Sequence, residues 1–297
     1  MARLFLVAPA FIVYLVPVRA DDPGAKSTIA YVQKLQTSSG GFLAQAPAPD
    51  MRLAPTLRTT SSAVRTLHYL NGSIPNQEAC AKFITSCHAI DSGGFSDVPG
   101  QKADVASTAI ALMAVKELNM PVDKYRAGAV KFLTENARSF EDIRIAAAGL
   151  ESIQATSPKS QAWMDEVLKL QNADGTYGKD AGQARDTASA VVTILRLGGA
   201  PKDKALVLKV LREGQRLNGA YGKADNETAS DLETTYRVMR CFMMLKAQPD
   251  RVEGLRTFVA TCRNEDGGYG VAPGQPSNLS GTYYATIILH WQEAGMK

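Results

Sequence analysis

Apolar residues recur along this chain at helical spacing. Cys80, Phe83, Ile84 and Cys87 in one segment, and Leu255, Phe258, Val259 and Cys262 in another, fall at i, i+3, i+4 and i+7. That is the stripe of an amphipathic helix. A glycine-rich turn follows each such run, then a polar loop, then a second helical run opened by a polar residue. The second runs are Asp104-Val-Ala-Ser-Thr108-Ala109, Gln183-Ala-Arg-Asp-Thr187-Ala188, Asp231-Leu-Glu-Thr-Thr235-Tyr236 and Asn278-Leu-Ser-Gly-Thr282-Tyr283. No segment of useful length alternates polar and apolar residues, so the pattern predicts an all-α chain.

The turns repeat. Gln36-Thr-Ser-Ser-Gly40-Gly41-Phe42, Gln171-Asn-Ala-Asp-Gly175-Thr176-Tyr177 and Gln215-Arg-Leu-Asn-Gly219-Ala220-Tyr221 share the form Q-x3-G-x-aromatic. Ala89-Ile-Asp-Ser-Gly93-Gly94-Phe95 and Arg263-Asn-Glu-Asp-Gly267-Gly268-Tyr269 keep the turn without the glutamine. The long interval between Phe95 and Tyr177 leaves room for a sixth copy, and the region 129–154 reads as one that has lost its glycines. Glycine lets the chain reverse, the aromatic plugs the turn, and Asp or Asn caps the second helix. A lone helix pair cannot bury its apolar face, so the copies must stack.

The N-terminus follows a different pattern. Met1-Ala2-Arg3, an apolar run from Leu4 to Val18 and the small-residue site Val18-Arg19-Ala20 read as a secretory signal peptide over residues 1–20. The run is short and broken by Pro9 and Pro17, which argues against a membrane span. The expectation is a mature domain over 21–297, secreted or periplasmic, with no transmembrane span once the signal is removed. Asn71-Gly-Ser, Asn226-Glu-Thr and Asn278-Leu-Ser are glycosylation strings if the source glycosylates its exported proteins.

A net charge of +4 spread over 297 residues has no basic run to track a phosphate backbone, which excludes a nucleic-acid partner from the expectation. Four cysteines are too few for a disulfide-stapled scaffold. Cys80 and Cys87 lie too far apart on one helix to bridge, whereas Cys241 and Cys262 either pair or stay as buried thiols.

The Q-x3-G-x-aromatic turn and the D-x3-T-A helix resemble the repeat of protein prenyltransferase β subunits and squalene or oxidosqualene cyclases. The order and spacing of the last two repeats most resemble the β subunit of Rab (type II) geranylgeranyltransferase. The resemblance implies an α/α toroid, an α6-α6 barrel of about six helical hairpins whose second helices line a central funnel. Periodicity alone allows an open solenoid equally.

The resemblance also implies chemistry, and here the residues depart from it. Asp231 falls on a zinc ligand of the transferases, but Glu233 stands at the zinc cysteine and Gly281 at the zinc histidine. The positions of the diphosphate-binding Arg and Lys hold Asp225 and Thr228, and a carboxylate there repels a diphosphate. Asp231 and Glu233 remain weak metal candidates, since two carboxylates without a third ligand hold a metal poorly. The cyclase D-x-D-D string, the complement-type G-C-G-E-Q string, H-E-x-x-H and G-x-S-x-G do not occur. His68 and His290 fall late in second helices, and His88 beside a turn is expected to face solvent.

Equivalent helix starts at Arg58, Asp104, Gln183, Asp231 and Asn278 would ring the funnel mouth, with Glu233 beside them, either as a ligand rim or as repeated helix caps. Tyr236, Tyr283 and Tyr284, with Phe242 and Trp291, are candidate cavity aromatics or core. The expected function is binding of an apolar, isoprenoid-like small molecule or a protein in the funnel, without zinc-dependent transfer and with no cofactor. An atypical prenyltransferase or terpene-cyclase-like enzyme is the alternative, and a structural scaffold the third reading. Protein prenyltransferases work with an α subunit, but nothing in this sequence marks a surface for one.

Overall fold

The computed structural model describes residues 23–48, 52–223 and 229–294. The expected signal peptide, Asp225 and Thr228 therefore lie outside the described residues. Twelve α-helices follow one another in the described residues: α1 Pro23–Gln33, α2 Leu57–Tyr69, α3 Gln77–Ser86, α4 Val105–Glu117, α5 Asp123–Asn136, α6 Phe140–Ser152, α7 Ser160–Leu168, α8 Gln183–Arg196, α9 Lys204–Glu213, α10 Leu232–Met244, α11 Val252–Thr261 and α12 Leu279–Ala294. A two-residue hairpin, β1 His88–Ala89 with β2 Gly94–Phe95, is set into the second turn.

The helices pair in order into six hairpins. Each even-numbered helix packs on the next even-numbered one, and α12 returns to α2, so the inner ring is closed. Odd-numbered helices pack outside it. Closure is a matter of particular contacts, which the repeat pattern alone could not specify. The Thr28 hydroxyl of α1 donates to the Gly267 carbonyl at 2.8 Å in a buried setting, Arg263 reaches the Gly24 carbonyl, and the Leu279 N–H donates to Ala44 O. The apolar core lies between the two rings in two clusters, one centred on the first four hairpins and one on the last three.

The repeat motif works through a hydrogen bond that the sequence reading did not assign. In five hairpins the N–H of the plugging aromatic donates to the hydroxyl of the threonine one turn into the inner helix. The pairs are Phe42–Thr60, Phe95–Thr108, Tyr177–Thr187, Tyr221–Thr235 and Tyr269–Thr282, at 2.9–3.1 Å. All five aromatics are buried. The threonines satisfy N–H groups that the plug removes from water, and an unmet buried donor costs about 1–3 kcal/mol.

Two of the motif glutamines tie their turn to the next hairpin, while Gln171 bonds only within its own. Gln215 donates to the Gly219 carbonyl at 2.7 Å and accepts from the Arg251 N–H at 2.9 Å. Gln36 does the same with Gly40 and Asn76. Glycine is required at Gly219 twice over. Its φ is 82°, and a Cβ would lie 2.2 Å from the Leu255 nitrogen.

The sixth copy is α5–α6, beginning at Asp123 rather than Ala129. It needs no glycine turn because Ala137–Ser139 joins the helices directly. Ser139 and Asp142 form a reciprocal capping box at the start of α6. The small run Ala146-Ala147-Ala148-Gly149 instead lets α6 lie close on α4, since a Cβ on Gly149 would meet Ala109 Cα at 2.6 Å.

The cysteines are four free buried thiols, and burial pushes each up to about 12. Cys241 and Cys262 do not form the disulfide that was one of their two expected fates. His88 is half-buried rather than facing solvent, wedged between the Phe95 and Tyr125 rings at 4.8 and 5.1 Å.

Candidate functional site

The inner helices begin at one end of the toroid, and their starts form its mouth. Asp104 caps α4: Oδ1 accepts the Ser107 N–H at 2.8 Å and Oδ2 its hydroxyl at 2.7 Å. Asp231 caps α10 in the same way through Thr234, at 2.7 and 2.8 Å. Asn278 accepts the Gly281 N–H at 2.8 Å. Gln183 opens α8 without capping it and donates to the Thr176 hydroxyl. At α2 the cap is Thr56, not Arg58, whose N–H goes instead to Asp97.

Just inside the mouth, Glu233 accepts from Arg237 at 3.0 Å, and Arg237 reaches Glu141 of α6 at 3.3 Å. Glu141 also holds Arg144 at 2.7 Å. Burial opposes the charge on Glu141, but its two arginines outweigh that and hold the carboxyl below its ordinary value. The Arg237–Glu141 pair spans from α10 to α6. Gly281 leaves no room for a larger residue, because a Cβ would lie 2.6 Å from the Tyr269 carbonyl. Among the described residues no three His, Cys, Asp or Glu side chains are grouped to hold a metal.

Deeper in, Tyr236, Tyr283 and Tyr284 come together with Trp291. The Tyr236 ring stacks on Trp291 at 5.5 Å and 19°, and lies 5.7 and 5.0 Å from Tyr283 and Tyr284. Phe242, by contrast, points into the core and is fully buried. A cavity of about 330 Å³ opens between the C-terminal ends of α10 and α12, lined by Met239, Met243, Lys246, Ala247, Gln248, Trp291 and Ala294. Trp291 therefore belongs both to the aromatic cluster and to the cavity wall.

The sequence reading missed three arginines that converge on this cluster. Arg65 of α2 stands over the Tyr283 ring at 4.7 Å. Arg240 of α10 stands over Trp291 at 4.5 Å and Tyr236 at 5.5 Å, and donates to the Tyr236 hydroxyl at 3.1 Å. Arg196 of α8 is nearly enclosed and paired with Glu151 at 2.8 Å. The Nε atoms of Arg65 and Arg240 are buried with no hydrogen-bond partner. A signal for them was present: Arg65 follows Thr60, and Arg240 follows Thr235, at the same offset.

Charge and aromatic ring act on each other here. Burial opposes ionisation of the Tyr236 phenol, but Arg240, Arg65, the Tyr283 hydroxyl at 3.4 Å and Arg196 outweigh it and bring the phenol well below its ordinary value. Tyr283 moves the other way, raised by burial and by its neighbour. The two phenols are thus driven apart, Tyr236 toward ionisation and Tyr283 away from it. Chemically the cluster offers cation–π faces, buried guanidinium donors and a titratable hydroxyl.

A closed ring of six helical hairpins around such a funnel defines an α/α toroid. The family model for the prenyltransferase alpha-alpha toroid domain matches residues 12–138 and 143–293, so the chain belongs to that family. No curated protein matches it. Among solved structures it is similar to protein geranylgeranyltransferase-I of Candida albicans complexed with GGPP, at 12% identity, covering 78% of this chain and 83% of that one with a TM-score of 0.62. A type II terpene cyclase from Scytonema, in complex with its product merosterolic acid A, aligns at 10% identity over 91% and 95% with a TM-score of 0.61. A glycosidase aligns at 13% identity over 92% and 96% with a TM-score of 0.56. Identities this low show a common fold. Among the described residues no helix is long and apolar enough to cross a membrane.

Proposed function

We propose that this protein is an exported toroid that binds an apolar, isoprenoid-like small molecule in its funnel and carries out no zinc-dependent transfer. The observation that carries the reading is the aromatic cluster of Tyr236, Tyr283, Tyr284 and Trp291, which faces the inside of the ring beside the cavity between α10 and α12. Apolar pockets with a few convergent polar groups are the common form of a small-molecule site. The N-terminal cationic and apolar stretch supports export. The rim residues Asp104, Gln183, Asp231 and Asn278 serve the helices first and would meet a ligand only at the entrance.

The donor chemistry at the mouth argues against zinc. Asp231 is occupied as a cap, Glu233 is occupied by Arg237, and position 281 cannot take a histidine without moving the Tyr269–Gly270 backbone. Zinc needs three or four converging deprotonated ligands, and the residues present do not fit that need. The likeness of the last two repeats to Rab geranylgeranyltransferase β subunits is thus one of spacing, without the ligand set.

Native mass spectrometry with metal analysis of the purified protein tests this reading. Metal-free protein carrying a co-purified lipid is the expected result, and stoichiometric zinc would overturn it. A second reading, an atypical prenyltransferase or terpene-cyclase-like enzyme, is favoured by the lowered Tyr236 phenol, a group able to move a proton inside an apolar site. Turnover of geranylgeranyl or farnesyl diphosphate, lost in Tyr236→Phe, would establish it.

A further inference from the structure

We propose that the gap between the turn of the fourth hairpin and α9 is a second binding site, between the outer and inner rings, for a compact neutral molecule that carries a carboxamide on an apolar body. It is separate from the funnel and does not depend on the reading of the funnel given above.

The case begins with how the hairpins interlock. Four of the five glycine turns lie with their backbone directly on the next outer helix. A Cβ on Gly40 would lie 2.1 Å from Ala79 of α3, and one on Gly93 2.5 Å from Gly128 of α5. On Gly219 it would lie 2.5 Å from Gly254 of α11, and on Gly267 2.5 Å from Ser27 of α1. The residue facing each of these turns is small. In the fourth hairpin the facing residue is Leu206, whose Cδ2 would stand 3.1 Å from a Cβ on Gly175, and no backbone of α9 comes within 4 Å of that Cβ. The leucine wedges the turn off the helix.

The cross-link fails at the same place. Gln36 and Gln215 reach the residue at the cap of the next outer helix, accepting the N–H of Asn76 at 2.8 Å and of Arg251 at 2.9 Å. Asp203 holds that position on α9 and accepts the Leu206 N–H of its own helix. The Gln171 side chain meets only the Gly175 carbonyl, at 2.9 Å.

What remains between them is a cavity of about 330 Å³. Its apolar walls include Val191 and Ile194 of α8 with Leu206 and Val207 of α9. Val191 and Val207 belong to one core cluster, Tyr177 and Ile194 to the other, so the cavity lies where the apolar core divides. Tyr177 and Gln171 add hydrogen-bonding groups to the lining. Tyr177 is 4% exposed, and its hydroxyl is buried without a hydrogen-bond partner. A ligand acceptor would relieve that cost.

These features define the occupant. Asp174 is engaged by Thr176 and Asp203 by Leu206, while Lys202 is exposed to solvent at the rim. The interior therefore offers hydrogen bonds rather than a fixed charge, which favours a neutral molecule. At the two cross-linked seams the group that spans turn and helix cap is a primary amide. A ligand carboxamide repeats that chemistry, its oxygen accepting from the Tyr177 hydroxyl and its NH2 donating to the Gln171 oxygen. Its apolar body rests between α8 and α9.

The test is calorimetric titration of the full chain with naphthamide and with methyl naphthoate, an ester that accepts hydrogen bonds but cannot donate them. The amide is expected to bind about three- to ten-fold more tightly, the return on one added hydrogen bond. Tyr177→Phe, which restores the residue type found at Phe42 and Phe95, should weaken both ligands. Gln171→Met should erase the difference between them, and Leu206→Trp should fill the cavity and abolish binding. In the unaltered protein, amide binding should slow hydrogen exchange in the 171–177 turn and at the start of α9, a readout that needs no variant to fold. Absence of saturable binding, equal affinity for amide and ester, protection confined to other helices, or binding that outlives Leu206→Trp overturns the proposal. Each of these failures leaves the funnel reading standing, since metal and lipid content test that separately.

Discussion

Replacing Gly267 and, separately, Gly274 by alanine tests whether close backbone approach closes the ring. Both glycines sit at positive φ, 87° and 75°. An alanine in that region costs about 1–2 kcal/mol at either site. Their surroundings differ. A Cβ at 274 meets nothing within 4 Å, whereas one at 267 would lie 2.5 Å from the Ser27 carbonyl oxygen and 2.7 Å from its carbon. That contact is backbone and cannot swing aside, so α1 must move. Moving it strains the Thr28–Gly267 hydrogen bond and the Arg263 contacts to Gly24 and Ser27. Overpacking of this kind adds about 1–3 kcal/mol. Urea unfolding followed by far-ultraviolet circular dichroism should therefore place Gly267→Ala below Gly274→Ala by about that margin, with Gly274→Ala itself about 1–2 kcal/mol below the unaltered protein. Equal losses in the two variants would mean that dihedral angle alone selects glycine at 267, and the account of closure would fail.

Thr235→Val keeps the shape but strips the acceptor from the Tyr221 N–H, and should cost about 1–3 kcal/mol in the same unfolding assay, more than Thr235→Ser. Arg237→Met should cost less than about 1 kcal/mol, because Glu141 is half-exposed and its pairing is screened; unfolding at low and high salt checks it. Spectrophotometric titration should show one tyrosine ionising well below the rest, absent in Tyr236→Phe. The folded state lowers this phenol, so its contribution to stability is lost as pH falls through the folded value and grows as pH rises toward the unfolded value near 10. The stability gap between the unaltered protein and Tyr236→Phe should accordingly widen with rising pH, and a gap that narrows would contradict the sign.

Much of the toroid was legible because its signals are local. Each glycine turn, each capping Asp or Asn and each threonine one turn later lies within a few residues of the others, and helical spacing fixes which face they share. The third hairpin was legible only as an interval, because α5 and α6 are joined by a three-residue link and held by Ser139, Asp142 and Gly149. The cap at α2 was misplaced by two residues because Thr56 and Thr59 complete a capping box that the repeat alignment does not show.

The group of arginines on the aromatic cluster had no such local signature. Arg65, Arg196 and Arg240 stand on three different helices, and each by itself reads as a surface cation on an amphipathic helix. Only ring closure makes α2 and α10 neighbours of the same helix and brings Arg65 and Arg240 onto one aromatic cluster. The repeat does leave a trace: Thr60 to Arg65 and Thr235 to Arg240 have one offset, and the residue at that offset from Thr108 is Met113, which Arg65 contacts. Within this fold a fixed distance from the motif threonine corresponds to a fixed depth in the funnel. Polar residues that recur at one such depth mark where the repeat departs from simple apolar packing.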